Sequence, residues 1–113
     1  MVREIKFRAW ADDKMFAVRA VSFNAKGNVY RFLDQDGVER WPEHLMQYTG
    51  FRDRKRRKVY EGDIVQANGH SSTRTAVEWQ EYRWHPQLPK GTIYEVIGNV
   101  HEHPHLLANK KEI

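Results

Sequence analysis

Residues 52–58, RDRKRRK, hold six cations, Arg52, Arg54, Lys55, Arg56, Arg57 and Lys58, broken by a single carboxylate, Asp53. Guanidinium groups present planar, multi-donor faces to phosphate oxygens, and clustered cations attract a polyanion in a salt-sensitive way. The segment carries +5 against a chain total of +4, so the other residues sum to about −1. One loop, not a generally basic surface, sets the high pI. Tyr48, Phe51 and Tyr60 flank it, and with Trp79, Tyr82 and Trp84 they supply rings on which bases stack wherever those rings are exposed. The competing reading is a solvated hairpin tip whose cations pair with Asp and Glu while most of the aromatics fill the core. Docking on an acidic protein surface is a third.

Other groupings carry less chemistry. His101, His103 and His105 are two residues apart, which on a strand places all three on one side, and neutral imidazoles bind zinc or nickel. Pro104 interrupts that run and Glu102 falls on the opposite face, so surface histidines near a turn are expected and no metal ligand is assigned. Glu61 and Asp63 flank Gly62. Acid–base catalysis by such a pair needs a cleft and shifted pKa values, whereas an Asp bonding backbone amides in a turn needs neither. Ser71, Ser72 and Thr73 beside His70 lack the surroundings of a nucleophile elbow, and no Gly-rich phosphate cradle is present. No catalytic residue and no cofactor follow from these patterns, and a non-catalytic protein is expected.

The elements that must position the basic segment are short. Glu4–Ala11 alternates, with Ile5, Phe7 and Ala9 on one face and Trp10 on the other, as in a half-buried strand. Asp12–Lys14 turns, Met15–Phe23 returns, Gly27 marks the next turn, and Asn28–Leu33 follows before DQDG at 34–37. The first 40 residues thus read as a β-meander. Trp41–His44 suits a helical turn opening at Pro42. Lys58–Tyr60 and Asp63–Ala67 read as strands around Gly62, which supplies positive φ or a close approach. Ala76–Tyr82 alternates again, placing Val77 and Trp79 on the buried face. Thr92–His101 is the last strand, bulged at Gly98. Pro104–Ala108 suits one helical turn, and residues 109–113 should fray. An exposed Trp10 would favour a homo-oligomer.

At 113 residues, with 40% hydrophobic and 30% charged, the chain suits one soluble globular domain over 1–113, the meander followed by a barrel-like part at about 45–108. No apolar run reaches the roughly 18–20 residues a membrane helix needs. MVREIKFRAW lacks the apolar core of a leader peptide. The absence of cysteine excludes disulfides, thiolate sites and thiol nucleophiles, and it fits a cytoplasmic protein. The expected class is mainly β with minor α: a small partly closed barrel or strongly bent antiparallel sheets.

Three segments in order give a resemblance: REIKFRAW at residues 3–10, LMQYTGF at 45–51 running through Asp53 to VYEGDIV at 59–65, and YEVIGNVHEHPHLL at 94–107. They resemble the YopX-like family of small phage and prophage proteins. The resemblance implies a mainly β fold and a mobile-element origin, and it carries no catalytic residues. This chain departs from the family pattern twice. Lys55-Arg56 stands where relatives place an Asn-Gly-like turn, which predicts a looser loop and a stronger anion attractor. His103 stands before Pro104 in place of Asn.

The expected function is therefore non-catalytic binding by a phage accessory protein. Nucleic acid is the leading partner, through residues 52–58, with Arg54, Lys55, Arg56 and Arg57 as the phosphate contacts. Reversing those four charges should remove binding and leave the fold intact. The alternative is a modulator that binds a host protein, or a structural, oligomeric phage protein.

Overall fold

The computed structural model describes residues 4–67 and 73–108. The described residues form eleven strands and one helical turn. The chain is mainly β, every strand pairing is antiparallel, and no sheet closes into a barrel. Two compact units divide at residue 47.

In the first unit, β1 (Phe7–Ala11), β2 (Lys14–Phe23), β3 (Val29–Asp34) and β4 (Glu39–Arg40) form the expected meander. The start of β5 (His44–Arg52) pairs with the other edge of β1. Alternation places Ala9, Ala11, Phe16 and Phe32 in one buried cluster, with Val18, Val21 and Leu45 against it. Ile5 does not join them. It precedes the strand and is exposed, while Trp10 is half-buried. Residues 41–43 form no helical turn. Glu43 donates its N–H to the Trp10 carbonyl at 2.9 Å, which draws the segment into the ladder instead.

In the second unit, the end of β5 pairs with β6 (Lys58–Tyr60). β7 (Asp63–Ala67) lies between β8 (Thr75–Ala76) and β11 (Tyr94–Asn99). β9 (Glu78–Gln80) and β10 (Arg83–His85) make a separate hairpin. Val59, Val65, Val77 and Leu88 form this unit's core, with Phe51, Trp84, Tyr94 and Val96 packed on it. The expected bulge in β11 falls between Val96 and Gly98, and α1 (His105–Ala108) is the expected helical turn. Val77 is buried as expected, but Trp79 is 53% exposed. The alternation fails because residues 75–80 are not one strand. Val77 exchanges backbone bonds with Gly62 and Asp63, and β9 then leaves to pair with β10. Residues 68–72 and 109–113, the latter read above as a fraying end, lie outside the described residues.

Three connections share one build. In Asn24–Asn28, Asp34–Val38 and Asp53–Arg57, the first residue's Oδ1 accepts the amides two and four residues on, at 2.9–3.0 Å. Its own N–H donates to the fifth residue's carbonyl, and it accepts the fourth residue's N–H through its carbonyl. The fourth residue is left-handed in each, with φ of 83° at Gly27, 80° at Gly37 and 68° at Arg56. The loop at residues 53–57 is therefore not loosened by the loss of an Asn-Gly pair. It keeps the same geometry with an arginine in the glycine position.

Candidate functional site

The basic segment is the tip of the β5–β6 hairpin, and two features aim it. A bulge in β5 shifts the register between Tyr48 and Arg52, with Gly50 at φ 89°. Thr49 steadies that bulge: its hydroxyl donates to the Val59 carbonyl at 2.8 Å and accepts the Phe51 N–H at 3.1 Å. Bulges re-aim the side chains that follow them, here Phe51 and Arg52.

The second feature is Asp53, whose side chain is fully buried. Besides the two loop amides on Oδ1, its Oδ2 accepts the Arg57 Nε–H at 3.3 Å and the Val96 N–H at 3.0 Å. Arg54 donates its N–H to the Tyr94 carbonyl at 2.8 Å, so this bond joins that from Val96 in fastening the tip to β11. Burial raises the Asp53 carboxyl pKa, but the amides of Val96, Arg57 and Lys55 and the Arg57 charge outweigh it. The result lies below the ordinary 3.8.

The six cations of the predicted site, Arg54, Lys55, Arg56 and Arg57 among them as phosphate contacts, face in different directions. Arg52, Arg54 and Arg56 line an open groove of about 630 Å³, whose other walls include Leu88, Lys90, Gly91 and Thr92. Lys55 and Arg57 turn toward Glu95 at 3.6 and 3.8 Å, and Arg54 reaches the same carboxylate at 3.8 Å. Arg57 also donates to the Val96 carbonyl at 3.0 Å, and Lys58 lies 5.6 Å from the Tyr48 ring centre. Arg57 is thus part of the loop's framework, and reversing its charge would place a carboxylate beside Asp53 and Glu95. One Glu95 cannot neutralise three cations, and exposed pairs of this length are worth about 0–1 kcal/mol. The tip remains strongly positive.

Lys90 was not legible as part of this site. It sits in a Pro- and Gly-containing segment some 35 residues from the loop, and only the fold brings it to the groove. Tyr48 is buried, with the half-buried Tyr60 ring centre 5.7 Å away, so Tyr48 offers no face to a base. A second groove of about 370 Å³ is lined by Thr49, Phe51, Trp79, Tyr82, Trp84 and Leu88, among others.

The remaining candidates resolve into structural roles. Asp63 is buried and accepts the Tyr60 N–H at 2.7 Å, the turn role expected of it. Strand β11 ends at Asn99, so the histidines do not share a strand face. His103 Nδ1 accepts the Asn99 N–H at 3.2 Å, and the His103 and His105 rings meet edge-on at 6.2 Å. No cluster of His, Asp and Glu able to hold a metal occurs among the described residues. Thr73 bonds the Ala67 backbone, while His70, Ser71 and Ser72 lie outside the described residues. No described helix is long and apolar enough to cross a membrane.

No curated protein matches this sequence. The crystal structure of protein EF1440 from Enterococcus faecalis is similar in fold, with a TM-score of 0.66 over 94% of this chain and 99% of that one, at 23% identity. Residues 6–108 match the family described as YopX protein. That match takes in all eleven strands and the basic tip, and the chain belongs to the YopX family.

Proposed function

We propose that this YopX-family chain is a non-catalytic accessory protein that binds nucleic acid through its phosphates, along the groove lined by Arg52, Arg54, Arg56 and Lys90. One observation carries the reading. Three arginines of a rigid tip and a lysine from a distant segment converge on one open groove, and Arg56 stands there in left-handed backbone. Such backbone costs a non-glycine residue about 1–2 kcal/mol, a cost that Gly27 and Gly37 avoid in the sibling loops. Backbone strain clusters at functional sites, so its presence at this charged residue supports a role for the side chain.

The test is fluorescence anisotropy with labelled single- and double-stranded DNA and RNA across a salt series. Four phosphate contacts give a log–log salt slope of about −3. Arg54→Glu, Arg56→Glu and Lys90→Glu combined should abolish binding with the melting transition retained, because none of the three side chains bonds Asp53 and the backbone bonds survive the substitutions. Absence of binding at low salt overturns the proposal. A stoichiometric partner captured from nuclease-treated lysate would then support the protein-docking alternative.

A further inference from the structure

The basic groove does not end at its arginines. Phe51 and Leu88 line it and also line the aromatic groove, so the two share a wall. Trp79 and Trp84 are register partners across the β9–β10 hairpin, with ring centres 5.0 Å apart and planes at 73°. Tyr82 stands at the hairpin's turn, 93% exposed. That turn has φ of 50° at Glu81 and 67° at Tyr82. A two-residue turn with both φ positive favours Asn, Asp and Gly. The other such turn among the described residues obeys this, with Asp12 at 51° and Asp13 at 58°. Glu81 and Tyr82 do not, so the hairpin holds a large ring in solvent on strained backbone, beside two tryptophans.

We propose that the ligand is single-stranded nucleic acid, with an unpaired base stacked against Tyr82, Trp79 and Trp84 while adjacent phosphates follow Arg52, Arg54, Arg56 and Lys90. The inference rests on the phosphate-binding reading above and adds the nature of the strand. A polyanion whose repeat alternates charge with a flat ring matches a basic groove that runs into an aromatic one. Every base has a π-face, so stacking of this kind tolerates sequence. Bases inside a duplex are already stacked and do not reach a concave wall, so the aromatic groove selects against paired strands.

The experiment compares four probes with the full chain: a mixed-sequence single strand, its duplex, an abasic strand of the same length, and inorganic polyphosphate. The single strand should bind about tenfold or more tighter than the duplex or the abasic strand, and it should quench tryptophan fluorescence. Tyr82→Asn should weaken single-strand binding about tenfold without changing the salt slope, while raising the melting temperature because Asn accepts the turn's backbone. Trp79→Ala provides an independent loss at a second ring. Equal binding of all four probes, with Tyr82→Asn unchanged in affinity, overturns the stacking proposal and leaves phosphate binding standing. Failure of every probe to bind at low salt overturns both.

Discussion

Arg56 holds in its loop the backbone position that Gly37 holds in another: φ is 68° and 80°, and each N–H donates to the carbonyl of an aspartate three residues back, Asp53 and Asp34. The two loops, with Asn24–Asn28, are one geometry drawn with different residues.

Relieving the arginine should therefore stabilise the protein. Arg56→Asn is expected to gain about 1 kcal/mol in denaturant unfolding, and Arg56→Gly somewhat less because glycine also loosens the unfolded chain. Both variants should bind nucleic acid more weakly, with a salt slope shallower by about 0.7–0.9.

Asp53 is the joint between tip and β11. Asp53→Asn keeps an oxygen for the Lys55 and Arg57 amides, as Asn24 does in its loop. It turns an NH₂ toward the Val96 N–H, which loses its acceptor. Equilibrium unfolding should show a loss of about 1–3 kcal/mol.

The same carboxylate sets an acid limb. The folded pKa of Asp53 lies below 3.8, so its contribution to stability is complete above the ordinary carboxylate value and is lost as pH falls through the lowered one. Asp34 adds to the same limb. The Arg40 guanidinium bond at 2.7 Å is the chief cause of its lowering, opposed by burial and aided by the Val38 and Asp36 amides. Melting temperature should be flat from pH 7 to about 5 on this account and drop below about 4, with a shallower drop in Asp53→Asn.

Glu95 competes with any anion for Arg54, Lys55 and Arg57. Glu95→Gln should tighten nucleic-acid binding several-fold at low salt, with a stability change within about 1 kcal/mol. An unchanged isotherm would mean that phosphates do not approach this side of the tip.

Gly98 shows why the β11 bulge carries no side chain. A Cβ there would sit 2.7 Å from His103 Nδ1, 2.9 Å from Cγ and 3.0 Å from Leu106 Cδ1. Gly98→Ala should cost about 1–3 kcal/mol by overpacking, and His103→Ala in the same chain should recover part of it.

Much of this architecture is legible along the chain because its signals are local. Alternation in residues 7–11 and 14–23 marks the meander, and Asn24 with Gly27 and Asp34 with Gly37 mark its turns. What escapes is non-local or breaks a rule. Trp79 looks buried by alternation because nothing in AVEWQEY shows the chain changing sheets after Val77. Arg56 looks unsuited to a left-handed site, yet Asp53 imposes the loop from outside the residue. Lys90 has no neighbour in sequence that shares its role. Glu95 as the counter-charge is equally invisible, since only the ladder of β11 brings it to the tip.

The bond from Val96 to Asp53 spans 43 residues, and it has a practical reach. The basic tip is not a linear motif. A synthetic peptide of residues 48–60 keeps every cation but loses the strand that anchors the aspartate, the carboxylate that gathers Lys55 and Arg57, and the lysine opposite. Grafted onto another protein, those thirteen residues would carry charge without the arrangement that directs it.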